Sequence, residues 1–266
     1  VNNLALIYAA QGKNREAEEL FKRALSIKEK ALGRDHPEVG DILHNLANIY
    51  INENSDASIE ECRFDLNSAS WGGAITCTVS CSPLLLGCHF TNNHVSNVGG
   101  GVYIRSSSSP RIEQCSFIDN VQEGNPGAGG AAITIYGSGN GGGPCFPFIT
   151  ETLFEGNHAE GYGGAVHNAY GGAPTFVACT FIANIGEAGG GGIDSIGHPD
   201  APPTSLEIMS CRFEGNETNG NGGAIDLRGV FASITDCNIN SNTALSDGGG
   251  IAFNSSELSL VASTSI

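Results

Sequence analysis

Residues 206–227 read Leu-Glu-Ile-Met-Ser-Cys-Arg-Phe-Glu-Gly-Asn-Glu-Thr-Asn-Gly-Asn-Gly-Gly-Ala-Ile-Asp-Leu. Two short signatures lie in this stretch: Cys211-x-Phe213-x-x-Asn216, then Gly222-Gly223-Ala224-Ile225. The first recurs at Cys62/Phe64/Asn67, Cys88/Phe90/Asn93, Cys115/Phe117/Asn120, Cys179/Phe181/Asn184 and Cys237/Ile239/Asn242. A further copy carries Thr152 in the cysteine place, with Phe154 and Asn157. A glycine signature follows each copy, ending at Ile75, Val102, Ile133, Val166, Ile193, Ile225 and Ile251. Most cysteine steps are 26 or 27 residues, and the longer ones contain insertions. A fixed period of this size means stacked structural units.

Within each unit, short runs such as Leu206-x-Ile208 and Cys211-x-Phe213 alternate with period two, the mark of strands. Gly and Asn clusters separate the runs and tolerate the backbone angles of tight turns. Three short strands plus turns per unit predict one rung of a parallel β-helix, about 4.8 Å high. The chain is therefore expected to be mainly β, with about seven rungs over residues 56–266 and inward columns of Cys and Phe. Asn67, Asn93, Asn120, Asn157, Asn184, Asn216 and Asn242 hold one phase throughout. A buried amide both donates and accepts, so this column predicts a ladder that satisfies the turn backbone rung by rung.

The pairing of Phe-x-x-Asn with Gly-Gly-Ala-Ile resembles the tandem repeats of chlamydial-type polymorphic outer-membrane proteins. More broadly it resembles right-handed β-helix proteins of the pectate-lyase-like superfamily. The resemblance implies a right-handed, single-stranded parallel β-helix. It leaves function open, because that architecture hosts both surface adhesins and polysaccharide-cleaving enzymes.

Residues 1–52 are of another kind. Leu4, Ala5 and Tyr8, then Ala17, Leu20, Phe21, Ala24 and Leu25, fall at helical spacing. Helices are expected at about 1–11, 14–32 and 38–51. Asn3-Leu4-Ala5 and Tyr8 return as Asn45-Leu46-Ala47 and Tyr50, and with the Ala31–Glu38 run they resemble a kinesin-light-chain-type tetratricopeptide repeat. In that family asparagines at the places of Asn3 and Asn45 can clamp a peptide. One repeat and a fraction is too little to bury a helical solenoid's faces. The segment is instead expected to cap the open end of the β-helix, with Ile42, Leu43, Leu46, Ile49 and Tyr50 over the first rung.

The net charge of −16 is uneven: residues 56–266 carry five Arg against twenty acids. So anionic a body repels phosphate backbones, which argues against a nucleic-acid partner. No apolar run reaches the length of a membrane-spanning helix, and no signal-peptide pattern is present. The chain starts at Val1 and stops after the strand-like Leu258–Ile266, so a monomeric unit of a longer polypeptide is expected. Six of the nine cysteines stand in the repeat column, where parallel side chains are poorly placed for bridging. Cys77 and Cys81 lie outside it and fit either a local disulfide or two thiols. Asn216 and Asn254 head glycosylation sequons, but Asn216 belongs to the ladder.

The residue after each signature's last Ile or Val should point outward. That column reads Thr76, Tyr103, Thr134, His167, Asp194, Asp226 and Ala252, and two positions on come Thr78, Arg105, Tyr136, Ala169, Ile196, Arg228 and Asn254. His167, Asp194 and Asp226 thus fall on consecutive rungs with Arg228 beside them. Carboxylates on neighbouring rungs, about 5 Å apart, suit a retaining glycosidase pair or a shared Ca²⁺. Insertions at Gly137–Phe148 and Gly197–Thr204 would wall a groove lined by Tyr136, Tyr170 and His198. Outward polar residues are also what an acidic surface carries without any site.

Three functions follow as expectations. The leading one is a non-enzymatic surface or secreted scaffold for adhesion or for binding a glycan or protein surface, extracellular or at the cell surface, needing no cofactor and admitting Ca²⁺ at Asp194 and Asp226. The second is a polysaccharide lyase or glycoside hydrolase acting on an acidic polysaccharide, with Asp194, Asp226, His167 and Arg228 as candidate catalytic residues. The third, suggested by the helical segment, is an intracellular interaction module.

Overall fold

The computed structural model describes residues 2–10, 13–33, 38–39, 41–42, 45–46, 57–138 and 142–261. From Ser58 onward the chain winds as a parallel coil. Sheet 1 has eight strands, from Ser58–Glu60 to Glu257–Val261. Sheets 2, 3 and 4 have seven each, running from Arg63–Asp65 to Asn238–Asn240, from Ser68–Trp71 to Thr243–Ala244, and from Ile75–Cys77 to Ile251–Asn254. A rung therefore holds four strands, where the period-two runs suggested three.

The extra corner has a local cause. The residue before each repeat-column Cys or Thr152 (Glu61, Gly87, Gln114, Glu151, Ala178, Ser210, Asp236) has φ of 49–61°. This left-handed residue breaks the run between Leu-x-Ile and Cys-x-Phe into two sheets. A second left-handed residue stands before each ladder Asn, from Leu66 to Ser241, with φ of 52–63°. A third is the first glycine of six of the seven pairs (Gly72, Gly99, Gly163, Gly190, Gly222 and Gly248), with φ of 43–71°. Gly222, at φ +68°, also has no room for a Cβ, which would sit 2.2 Å from the Ile225 carbonyl oxygen.

Leu66 holds the left-handed conformation with a branched side chain that is 63% exposed. Left-handed backbone costs a non-glycine residue about 1–2 kcal/mol, and glycine loses about 0.5–1 kcal/mol more chain entropy on folding. Leu66→Gly is therefore expected to stabilise by ~0.5–1 kcal/mol, a Tm rise of about 1–3 °C. An unchanged or lower Tm in a thermal melt would contradict this account of the corner.

Three columns fill the interior. Phe64, Phe90, Phe117, Phe154, Phe181 and Phe213 stack face to face, with centroids 4.5–5.2 Å apart and planes within 8°. The Asn column is a continuous ladder. Each backbone N–H donates to the Oδ1 of the next rung's Asn at 3.0–3.1 Å. Each Nδ2 donates to that same Oδ1 at 2.8–2.9 Å. From Asn93 onward, Nδ2 also donates back to the preceding rung's Phe carbonyl, or to that of Phe213 from Asn242, at 2.9–3.1 Å. Each inner Asn amide thereby makes four hydrogen bonds, its full capacity.

The sulfurs form a looser ladder. The N–H groups of Cys88, Cys179 and Cys211 point at the next column sulfur at 3.3–3.4 Å, and that of Cys115 at Thr152 Oγ1 at 3.4 Å. The Thr hydroxyl thus keeps the contact where the Cys is lost. Hydrogen bonding to Cys115, with burial adding, pushes the Cys88 thiol up to about 12. The side-chain bond to Cys81, then burial, likewise raises Cys77. No disulfide joins the nine cysteines, Cys77 and Cys81 included.

At the N-terminal end, α1 (Asn2–Ala10) and α2 (Asn14–Leu32) pack on each other. Glu38, Val39, Asp41, Ile42, Asn45 and Leu46 are also helical. Two of the five residues expected over the first rung, Ile42 and Leu46, are described. Ile42 and Leu46 are buried with Ala5, Ala17, Phe21 and Ala24 in the helices' own cluster, while Leu43, Ile49 and Tyr50 lie outside the described residues. Among the described residues, Asn2, Asp41 and Asn45 share a cleft with Asn67, Ser68 and Gly73 of the first rung. Among the described residues, no helix is long and apolar enough to cross a membrane.

Candidate functional site

Strand pairing in sheet 4 aligns Thr76, Tyr103, Thr134, His167, Asp194, Asp226 and Ala252 in one file. Tyr136, Ala169, Ile196, Arg228 and Asn254 align beside it. Thr78, expected in this second file, falls beyond the strand end at Cys77.

The file faces away from the Phe core, yet it is not a surface. His167 and Asp226 are 3% exposed and Asp194 is 0% exposed. The expectation of open side chains is therefore corrected. The cause is the segment leading into each glycine pair, which folds back over the outer face of sheet 4. Gly189 sits directly above the carboxylates: a Cβ there would lie 2.7 Å from Asp194 Oδ1, 3.2 Å from Asp226 Oδ2 and 3.4 Å from Arg228 Nη2. Only a bare Cα closes the lid this tightly.

Under that lid two carboxylates meet one guanidinium and one imidazole. His167 Nδ1 lies 2.7 Å from Asp194 Oδ2. Arg228 Nη2 donates to Asp194 Oδ1 at 2.5 Å, and Nε lies 3.2 Å from Asp226 Oδ2, off the hydrogen-bond direction. The guanidinium also rests 4.7 Å over the Tyr162 ring, a cation–π contact. Burial works against the Arg228 charge, but Asp194 and Asp226 more than offset it and hold the guanidinium protonated. Both carboxylates thus face one guanidinium. Among the described residues no cluster of three or more His, Cys, Asp or Glu has the arrangement of a metal site.

Rings continue the arrangement. His167 lies between Tyr162, stacked at 5.5 Å, and the edge of Tyr136 at 5.6 Å. Tyr136 meets Tyr103 and Tyr170 edge-on, and Tyr170 meets His198 at 5.1 Å. Trp71 extends the line at Tyr103, so rings run along most of the sheet. Burial, with Tyr103, Tyr170 and Asp194 adding, pushes the Tyr136 phenol up, which keeps it protonated. The structure thus brings together all the residues singled out on the His167, Asp194 and Asp226 rungs, with Tyr136, Tyr170 and His198 at their margin. It adds Tyr162 and Gly189. Both stand immediately before a glycine pair, and their bridge to each other is the lid. That position, also held by Trp71, was the available signal.

Family comparison agrees with this geometry. Residues 39–181 match the right-handed β-helix region, more than half of the chain. The chain belongs to the right-handed β-helix family. Residues 1–38 of this β-helix protein match a tetratricopeptide repeat, and residues 210–227 match the Chlamydia polymorphic membrane protein repeat. No curated protein and no solved structure matches it. The polymorphic membrane protein match falls on the stretch holding Cys211, Phe213, Asn216 and the Gly222–Ile225 signature.

Burial, with the neighbouring Asp194 charge, pushes the Asp226 carboxyl up to about 6, against the pull of Arg228. A carboxyl raised on folding binds a proton in the native state that the unfolded chain has already released. Stability should therefore fall as pH rises from about 4 to about 6. Asp226→Asn, which imitates the protonated form, should melt higher than the native protein above pH 6 and show a flatter profile below it. Parallel melts of both proteins from pH 4 to 8 check this; identical profiles would mean that Asp226 keeps an ordinary carboxylate.

Proposed function

We propose that this β-helix protein is a non-enzymatic scaffold, extracellular or at the cell surface, that presents a rigid anionic face for adhesion or ligand binding. The observation that carries this reading is the sealing of the stacked carboxylates. A glycosidase or lyase needs its acid and base within hydrogen-bond reach of substrate. Asp194 instead spends both oxygens on His167 and Arg228, under Gly189 and Tyr162. A site so arranged clamps three rungs together. The similarity of residues 210–227 to a Chlamydia polymorphic membrane protein repeat supports a surface location. Calcium has no expected role at Asp194 and Asp226, because Arg228 already pairs with both.

Incubation with polygalacturonate, followed by absorbance of the unsaturated product, tests the reading. No product is expected. Product formation that Asp226→Asn abolishes would replace the scaffold with a polysaccharide lyase. A Ca²⁺-dependent rise in Tm that Asp194→Asn abolishes would show that the clamp opens to a metal.

A further inference from the structure

We infer that a slot on the outer face of sheet 1, between Phe146 and Phe231, binds an uncharged saccharide about two sugar rings long; this deepens the binding reading above and rests on it. Register defines the slot. Phe148, Thr175, Glu207 and Ser233 align on successive strands, and Ser205 aligns with Phe231. Two residues ahead of each member of the first file come Phe146, Ala173, Ser205 and Phe231. Both files face outward, because the residues that follow the first file (Ile149, Phe176, Ile208, Ile234) are fully buried. The second file thus reads large, small, small, large. Three strand steps separate its end members, about 14 Å, and the two small residues leave the space between the rings open.

The resulting cleft has a volume of about 540 Å³, inside the roughly 300–1,000 Å³ of small-molecule sites. Its end walls are aromatic and left in water, Phe146 at 59% and Phe231 at 51% exposure. Its floor is polar, with Thr175, Ser205, Glu207 and Ser233 offering three hydroxyls and a carboxylate. Thr175 Oγ1 lies 3.4 Å from Glu207 Oε2, which orients the carboxylate. Apolar walls over a floor of acceptors and hydroxyls match a sugar ring, whose C–H faces are apolar and whose edges carry hydroxyls. Successive pyranoses advance by roughly one strand spacing, about 4.8 Å.

Charge narrows the class. Among the described residues no basic side chain lines the slot, Glu207 is acidic, and the chain carries −16, so an acidic sugar is repelled. An added peptide strand needs a free sheet edge, whereas these strands are paired on both sides. A purely apolar ligand would cut Glu207 off from water, leaving its charge with the Thr175 hydroxyl as its hydrogen-bond partner.

Calorimetric titration of the whole chain with cellotetraose, maltotetraose, chitotetraose and tetragalacturonate tests the proposal. Saturable binding of at least one uncharged tetrasaccharide is expected, weakened tenfold or more by Phe231→Ala and by Ser205→Phe, which fills the gap. Phe253→Ala, at another exposed Phe on sheet 4, should bind as the native protein does, and thermal melts confirm that each variant is folded. Binding of tetragalacturonate alone, binding of none of the four, or binding that survives Phe231→Ala would each overturn the slot. The last result would leave the scaffold reading standing; turnover of a sugar bound in the slot would sink the scaffold reading and keep the slot.

Discussion

Asn157→Asp is expected to cost at least 4–5 kcal/mol, roughly the whole margin of a marginally stable protein. Asn157 is fully buried at the centre of the ladder. Its Oδ1 accepts from the Asn120 backbone N–H and from Asn120 Nδ2, and its Nδ2 donates to Phe117 O and Asn184 Oδ1. A carboxylate keeps the first two bonds and turns the other two into acceptor facing acceptor. Each buried polar group left unpaired costs about 1–3 kcal/mol, and the new charge has no counter-ion within the ladder, which adds several more. At about 2–4 °C per kcal/mol for a domain of this size, the Tm should drop by about 10 °C or more. Acidification should restore part of the loss, since a protonated carboxyl donates once. Asn242→Asp provides the internal comparison: it sits at the ladder's end, only partly buried, and should lose much less. Equal melting of Asn157→Asp and the native chain would show that the amide ladder contributes nothing to cohesion.

Arg228→Met should be nearly as damaging, by about 3–5 kcal/mol, the usual cost of removing one partner from a buried ion pair. It leaves Asp194 and Asp226 beneath Gly189 with His167 as the remaining partner. The prediction has a built-in rescue. Combining Arg228→Met with Asp194→Asn removes the orphaned charge, and the double variant should be more stable than Arg228→Met alone, with a coupling of about 1–3 kcal/mol. Denaturant titrations of the four proteins give that coupling directly. Additive losses would mean that the guanidinium and the Asp194 carboxylate act independently, and the clamp would have to be abandoned.

These two sites differ in how readable they were. Asn157 could be placed in a ladder without coordinates, because the amide recurs at one phase even where Thr152 replaces Cys or Ile239 replaces Phe. His167, Asp194 and Asp226 could be placed on one file for the same reason, since period-two alternation transmits register from rung to rung. Their exposure could not. Alternation says which face of a sheet a side chain leaves from, and says nothing of what later folds over that face. The lid is made by Tyr162, Gly189 and the left-handed glycines behind them. The fourth sheet escaped notice for a related reason: one left-handed residue, carried by side chains as different as Glu61, Gln114 and Ala178, leaves no compositional trace.

The sequence by itself determined the coil, its seven-fold repetition and the inward columns of Asn, Cys and Phe, because identical residues at a fixed period have to meet their own copies when the units stack. Only the tertiary structure decided that the acidic pair is buried and paired with Arg228, that Ile42 and Leu46 pack with the helices, and that Phe146 and Phe231 bracket an open slot. Each of these depends on the path of a turn or insertion across a face, and no repeat constrains that path.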